Sequence, residues 1–173
     1  MKRKQKGFSL IELLIVVAII LIIAAMAIPS LMRAKIQANE AASVTAIHTL
    51  NTAETTYQTA YPTNGFAANL SNLGGAAPCS PAPTAACLVD NSLATASPGS
   101  GSRSGYVFAA TGLNPVNGIN TAYTIGASPL TYNNSGVRNF CSNEDSAIRF
   151  NAGASGSTPV NNTAACLQFT PMQ

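Results

Sequence analysis

The sequence predicts an α+β protein. One long N-terminal α-helix has a protruding hydrophobic first half, and its second half packs on a small antiparallel β-sheet. Three observations carry this prediction. An apolar run from Phe8 to Ile28 leads directly into an amphipathic stretch, 31–60, that holds neither glycine nor proline. Short strand-like runs separated by turn-forming residues follow between 106 and 151. All four cysteines lie after the apolar run, in the part of the chain that would be exported.

The N-terminus is a short basic leader, with Lys2, Arg3, Lys4 and Lys6 ahead of Gly7. These bases account for the positive balance of the chain. Without them five bases face six acids, a net of −1, so the basic pI belongs to the leader and implies no nucleic-acid surface. Only 9% of residues are charged, and Ser, Thr and Asn must keep the rest soluble. That composition fits a secreted or surface-exposed protein better than a cytosolic enzyme.

The apolar element comes next. Sixteen consecutive apolar residues run from Leu13 to Ile28. Counted from Phe8, about 21 helical residues span roughly 30 Å, the hydrocarbon thickness of a bilayer. The leader charges predict a cytoplasmic N-terminus and an outward-facing remainder. A secretory signal peptide cut near "AAMAIPS" satisfies the same pattern. Glu12 is the anomaly, because an ionised carboxylate at depth in lipid costs several kcal/mol and is usually paired or functional. Its bland alternative is a side chain that reaches back to the headgroups.

Beyond Pro29, which removes a helical hydrogen bond and bends an axis, Ile36, Val44, Ile47, Leu50, Ala53 and Tyr57 form an apolar stripe at helical spacing. Tyr61-Pro62 and Asn64-Gly65 end the element. A helix of about 50 residues would span roughly 75 Å, more than the remaining chain can cover, so its first half must enter lipid or other copies of itself.

Residues 62–104 are rich in Gly, Pro, Ala and Ser and predict a long irregular connection, with a helical turn near 88–93. Strands are predicted at 106–111, 122–127, 137–142 and 147–151, parted by "LNPVNG", "YNNSG" and "NEDS". They form a meander of three or four strands that packs on the helix through Val107, Ile125 and Ile148. The tail, 152–173, reads as a loop tied down by Cys166. Four cysteines in an exported chain favour two disulfides. Of the three possible pairings, the one close in sequence, Cys79–Cys87 and Cys141–Cys166, is adopted here. A metal site lacks CxxC spacing and has only the distant His48 to help.

Catalytic patterns are missing from the sequence. It contains no GxSxG, HExxH, phosphate-binding glycine loop or paired-carboxylate motif. His48, the single histidine, is read as a helix-surface or packing residue, and the acids of "SNEDS" as turn residues. Three Asn-x-Ser/Thr triplets, at Asn69, Asn133 and Asn161, carry little weight in so Asn- and Ser-rich a chain.

The run "KGFSLIELLIVVAIILIIAAMAIPSLMRAK" resembles the N-terminal signature of type IV pilins and the related pseudopilins of type II secretion systems. The likeness rests on Gly7, then Phe8, Glu12 fifth and Pro29 twenty-second counted from Phe8. It covers about thirty residues; the agreement of the remaining layout is looser. The resemblance implies a leader, 1–7, cut between Gly7 and Phe8 by a prepilin peptidase that also N-methylates Phe8. It implies a retained helix, 8–60, with 8–28 as transmembrane segment and later filament core, and a head, 61–173. Glu12 would pair with the amino terminus of a neighbouring Phe8, and Pro29 would let the helix bend or unwind locally.

The expected protein is thus not an enzyme but a filament subunit with no cofactor and no metal. Its partners are identical subunits, the peptidase and methyltransferase, and inner-membrane assembly machinery. It sits in the bacterial inner membrane before assembly and in an extracellular filament afterwards. The alternatives are a periplasm-spanning pseudopilin, against which the acid-free tail 152–173 speaks, and a membrane-tethered periplasmic binding domain that never polymerises.

Overall fold

A computed structural model describes residues 8–172. The fold is α+β, as predicted: helix α1, Leu10–Ala60, precedes a five-stranded antiparallel sheet. The chain divides between Lys35 and Ile36 into two compact units, each considered by itself.

In the first unit, the side chains of residues 8–35 are exposed, Ala24 alone being half-buried. Phe8 is 85% exposed, and Leu, Ile and Val side chains follow on every face of the helix. A helix that is apolar all round demands a nonaqueous environment or partners. The helical assignment continues through Pro29.

The second unit holds the core. From α1 it takes Ala46, Ile47, Leu50, Ala53 and Tyr57, with Val44 packed at the margin. Glu40, Ser43, Asn51 and Glu54 are buried on the same stripe. On the exposed side, Thr45, Thr49, Thr52, Thr56 and Thr59 each donate the hydroxyl to the carbonyl four residues back, which satisfies the hydroxyl within the helix. At the helix end Gly65, at φ 73°, bonds back to the Tyr61 carbonyl. A Cβ there would sit 2.0 Å from the Asn120 carbonyl oxygen, so this close approach requires glycine.

The connection holds two single-turn helices, α2 (Leu70–Leu73) capped by Asn69 and α3 (Asn91–Ala94) capped by Asp90. The helical turn expected near 88–93 therefore starts later. Leu88 and Val89 instead donate to the Leu73 carbonyl, and the Asp90 carboxylate then accepts from Leu93 N–H.

The strands are β1 (Tyr106–Val116), β2 (Ile119–Pro129), β3 (Arg138–Asn143), β4 (Arg149–Ala152) and β5 (Thr170–Pro171), in that spatial order. Two features differ from the sequence reading. "LNPV" was predicted as turn but continues β1. Asn117 and Gly118, both at positive φ, make a two-residue turn that keeps the flanking strands paired up to Val116↔Ile119. Pro115 lies on β1, which ends the strand order, a position where a missing N–H is tolerated. The tail, expected as a loop, adds helix α4 (Thr163–Leu167) and the fifth strand, with Phe150 opposite Thr170.

The core face of the sheet carries Tyr106, Phe108, Tyr123, Ile125 and Phe140. Val107, expected to face α1, is buried but outside that cluster, because side chains alternate along the strand. The opposite face is covered by the C-terminal segment. Val160 crosses Gly126 so closely that a Cβ would lie 2.1 Å from its carbonyl oxygen, and Thr163 reaches Thr124 at 3.2 Å. Cys141 is bonded to Cys166 beneath this cover, and Cys79 to Cys87 within the connection.

Candidate assembly site

The site lies at the start of α1. Ser9 stands immediately before the helix and Glu12 is its third residue. The Ser9 backbone N–H donates to Glu12 Oε2 at 2.9 Å. This is one half of a capping box, in which the carboxylate satisfies an otherwise orphaned donor and offsets the positive end of the helix dipole. The S-x-x-E spacing of "SLIE" carried this signal, but the sequence reading attended only to the charge. Phe8 and Glu12 are both exposed, and among the described residues Glu12 is engaged by Ser9 alone. Gly7 lies outside the described residues. Pro29 sits in the exposed part of α1, and no described side chain covers it.

The candidate span starting at Leu10 is long and apolar enough to cross a membrane. Two acids of the outer helix were missed altogether. Glu40 and Glu54 are in phase with the apolar stripe at 47, 50 and 57 and are buried there. Glu40 accepts from the backbone N–H of Val137 (3.0 Å) and Arg138 (3.2 Å) and from Arg138 Nε (2.8 Å). The Arg138 guanidinium in turn lies over the rings of Phe140 and Phe150, 5.5 and 5.3 Å from their centroids. Glu54 accepts from Ala67 N–H at 2.9 Å.

Two further ion pairs are formed among the described residues. Asp90 pairs with Arg103, and bonds from Ser92 and Arg103 hold its carboxyl down at about 2. In the "SNEDS" turn Asp145 pairs with Arg149 and accepts from Ala147 N–H, and Arg149 holds its carboxyl below the usual range. His48 is exposed on α1. Among the described residues no group of three or more His, Cys, Asp or Glu is placed to hold a metal ion.

The class defined by these features is a protein with a helix long and apolar enough to cross a membrane, one acid in the first turn of that helix, and a small disulfide-bonded α+β unit. The family model described as "Prokaryotic N-terminal methylation motif" matches residues 2–28. The chain is also similar to the type IV wide pilus major component PilA4 of Thermus thermophilus, 60% identical over 38 residues. That match spans 22% of this chain and 29% of the relative's length. No solved structure matches. The motif and the relative make this chain similar to type IV pilins over a short part of its length.

Proposed function

We propose that the chain is a structural pilin that polymerises through α1 into a type IV pilus-like filament. The observation that carries this is the first part of α1, residues 10–28, apolar on every face, whose one acid lies in its first turn, shortly after the sequence Gly7-Phe8. Prepilin peptidase would cut between Gly7 and Phe8. The cut removes all four leader charges and creates an amine next to the helix start. The leader had held the segment on the cytoplasmic side, and its loss lets the helix leave the bilayer.

Leaving lipid for a bundle of identical helices changes little apolar exposure, because lipid tails are as apolar as leucine. Hydrophobicity alone therefore sets no register between subunits. Glu12 supplies one. In lipid its carboxylate has only its own helix end to satisfy it, whereas in a filament the neighbouring Phe8 amine about 4 Å away offsets much of the desolvation cost. One axial offset brings the two together. Pro29, by lacking an N–H, gives a point where the helix unwinds or bends to fit the bundle. The heads would form the outer surface, with Cys79–Cys87 and Cys141–Cys166 bracing them outside the reducing cytoplasm.

Electron microscopy of sheared surface fibres, with mass spectrometric identification of this chain starting at Phe8, tests the reading. Short periplasmic fibres would instead indicate a pseudopilin. A chain that stays monomeric in the membrane would indicate a tethered binding domain.

A further inference from the structure

Glu54 is an acid buried without a base. Its side chain is fully buried on the core-facing stripe of α1. Oε2 accepts from Ala67 N–H, while Oε1 has no hydrogen-bond partner among the described residues. Among the described residues of the second unit no lysine or arginine is free to neutralise it, since Arg103, Arg138 and Arg149 are paired with Asp90, Glu40 and Asp145, and His48 is exposed on α1. The titratable groups that face it are neutral or acidic. They are Tyr57 on the same helix, with Tyr61 stacked on it, and Tyr123 on β2, whose hydroxyl donates to Asn51. Glu144 and Asp145 of the β3–β4 turn lie beyond Tyr123. An uncompensated carboxylate in such a place costs far more than a neutral acid.

We propose that Glu54 is held as a protonated acid in the packed head, where it latches the connection leaving α1 onto the helix and releases it on ionisation. In the neutral form Oε2 accepts from Ala67 as a carbonyl oxygen, and the unpartnered oxygen carries the proton. The latched segment is short and well defined. Phe66 packs its ring against Tyr123, tilted and with centroids 4.7 Å apart, donates its backbone N–H to the Asn120 carbonyl and accepts from the Asn120 side-chain amide. Loss of the proton leaves a full charge with one donor in apolar surroundings. Water reaches that charge only when 64–67 separates from the helix.

Burial pushes the Glu54 carboxyl up to about 7, in the same direction. Because the folded form binds the proton more tightly than the unfolded chain, stability is greatest below the ordinary carboxyl range. It falls as pH rises toward 7 and levels off above that. Asp90 and Asp145, held below the usual range, act in the opposite direction and only in stronger acid.

The test uses the full chain in detergent micelles, with the melting of the head followed by the near-ultraviolet dichroism of its tyrosines. The midpoint is expected to fall by on the order of 10 °C from about pH 5 to about pH 8, and to stay level in Glu54→Gln. Carbon-13 labelling of the glutamate carboxyls gives a second readout that needs no folded Glu54 variant. One resonance should titrate near neutrality in the wild type and persist in Glu12→Gln. An equal slope in a folded Glu54→Gln, or no resonance titrating above about pH 6 in the Glu12→Gln chain, would overturn the proposal.

Discussion

The Glu40 carboxylate is bound from two sides by Arg138. Its oxygens take the backbone N–H groups of Val137 and Arg138 and the Arg138 side chain, which joins α1 to the start of β3. The two partners are not equivalent. Glu40 is nearly fully buried, whereas the Arg138 side chain is 41% exposed.

Removing the acid leaves two backbone donors and a cation unpartnered, while removing the base leaves Glu40 with both backbone donors. Glu40→Ala should therefore destabilise the head by about 2–4 kcal/mol and Arg138→Ala by roughly half as much. Chemical denaturation of the two variants checks the order. Equal losses would mean that the ion pair, not the backbone bracket, is what matters.

The two disulfides should respond differently to reductant. Cys141 and Cys166 are fully buried, whereas Cys79 is exposed. Mild reduction should open Cys79–Cys87 first, read as alkylation of those two residues alone by peptide mapping. In chain-entropy terms the wider loop, with a separation of 25 residues, contributes about 3.5 kcal/mol, and the loop of 8 about 2.5 kcal/mol. Cys141→Ser/Cys166→Ser should thus cost more stability than the Cys79→Ser/Cys87→Ser pair. A Cys79–Cys141 peptide in the non-reduced map would contradict the arrangement altogether.

Processing is expected to depend on the residue before the cut. A bulky side chain at Gly7 should leave precursor in the membrane that still carries its leader, seen as a higher intact mass and as missing fibres. A Phe8 start in such a variant would mean that cleavage does not require glycine before the cut.

Much of this architecture is legible in the sequence because it is local. The apolar run, the helical stripe and the four core strands declare themselves through period and composition. What escaped reading was set by distant partners or by an unremarked spacing. β5 consists of Thr170 and Pro171 only, and pairing with β4 alone makes them a strand. Val107 has the composition of a helix-facing residue, but its parity on the strand, fixed by where pairing begins, sends it to the other face. Glu40 and Glu54 sat in phase with the apolar stripe, a visible sign of buried acids, although their partners at Arg138 and Ala67 come from other elements. Ser9 and Glu12 showed the capping spacing in plain view. The candidate assembly site rests on a short motif of Gly7, Phe8, Glu12 and Pro29, whereas the head has no such motif.

Glu12 caps its own helix, and the role proposed for it, meeting a neighbour's amino terminus, is separable from that. Glutamine serves the capping position nearly as well as glutamate but carries no charge, whereas alanine removes both. The capping loss is only about 0.5–2 kcal/mol of helix stability, too little to keep a membrane-held helix from forming. The decisive measurement is the yield of sheared surface fibres from cells carrying Glu12→Gln, with membrane levels of the processed chain as control. If the charge sets register between subunits, Glu12→Gln should be processed normally and yield at least tenfold fewer filaments, about 1.4 kcal/mol per subunit contact, as Glu12→Ala does. Abundant filaments of normal form from Glu12→Gln, with loss only in Glu12→Ala, would contradict the pairing and leave Glu12 as a helix cap.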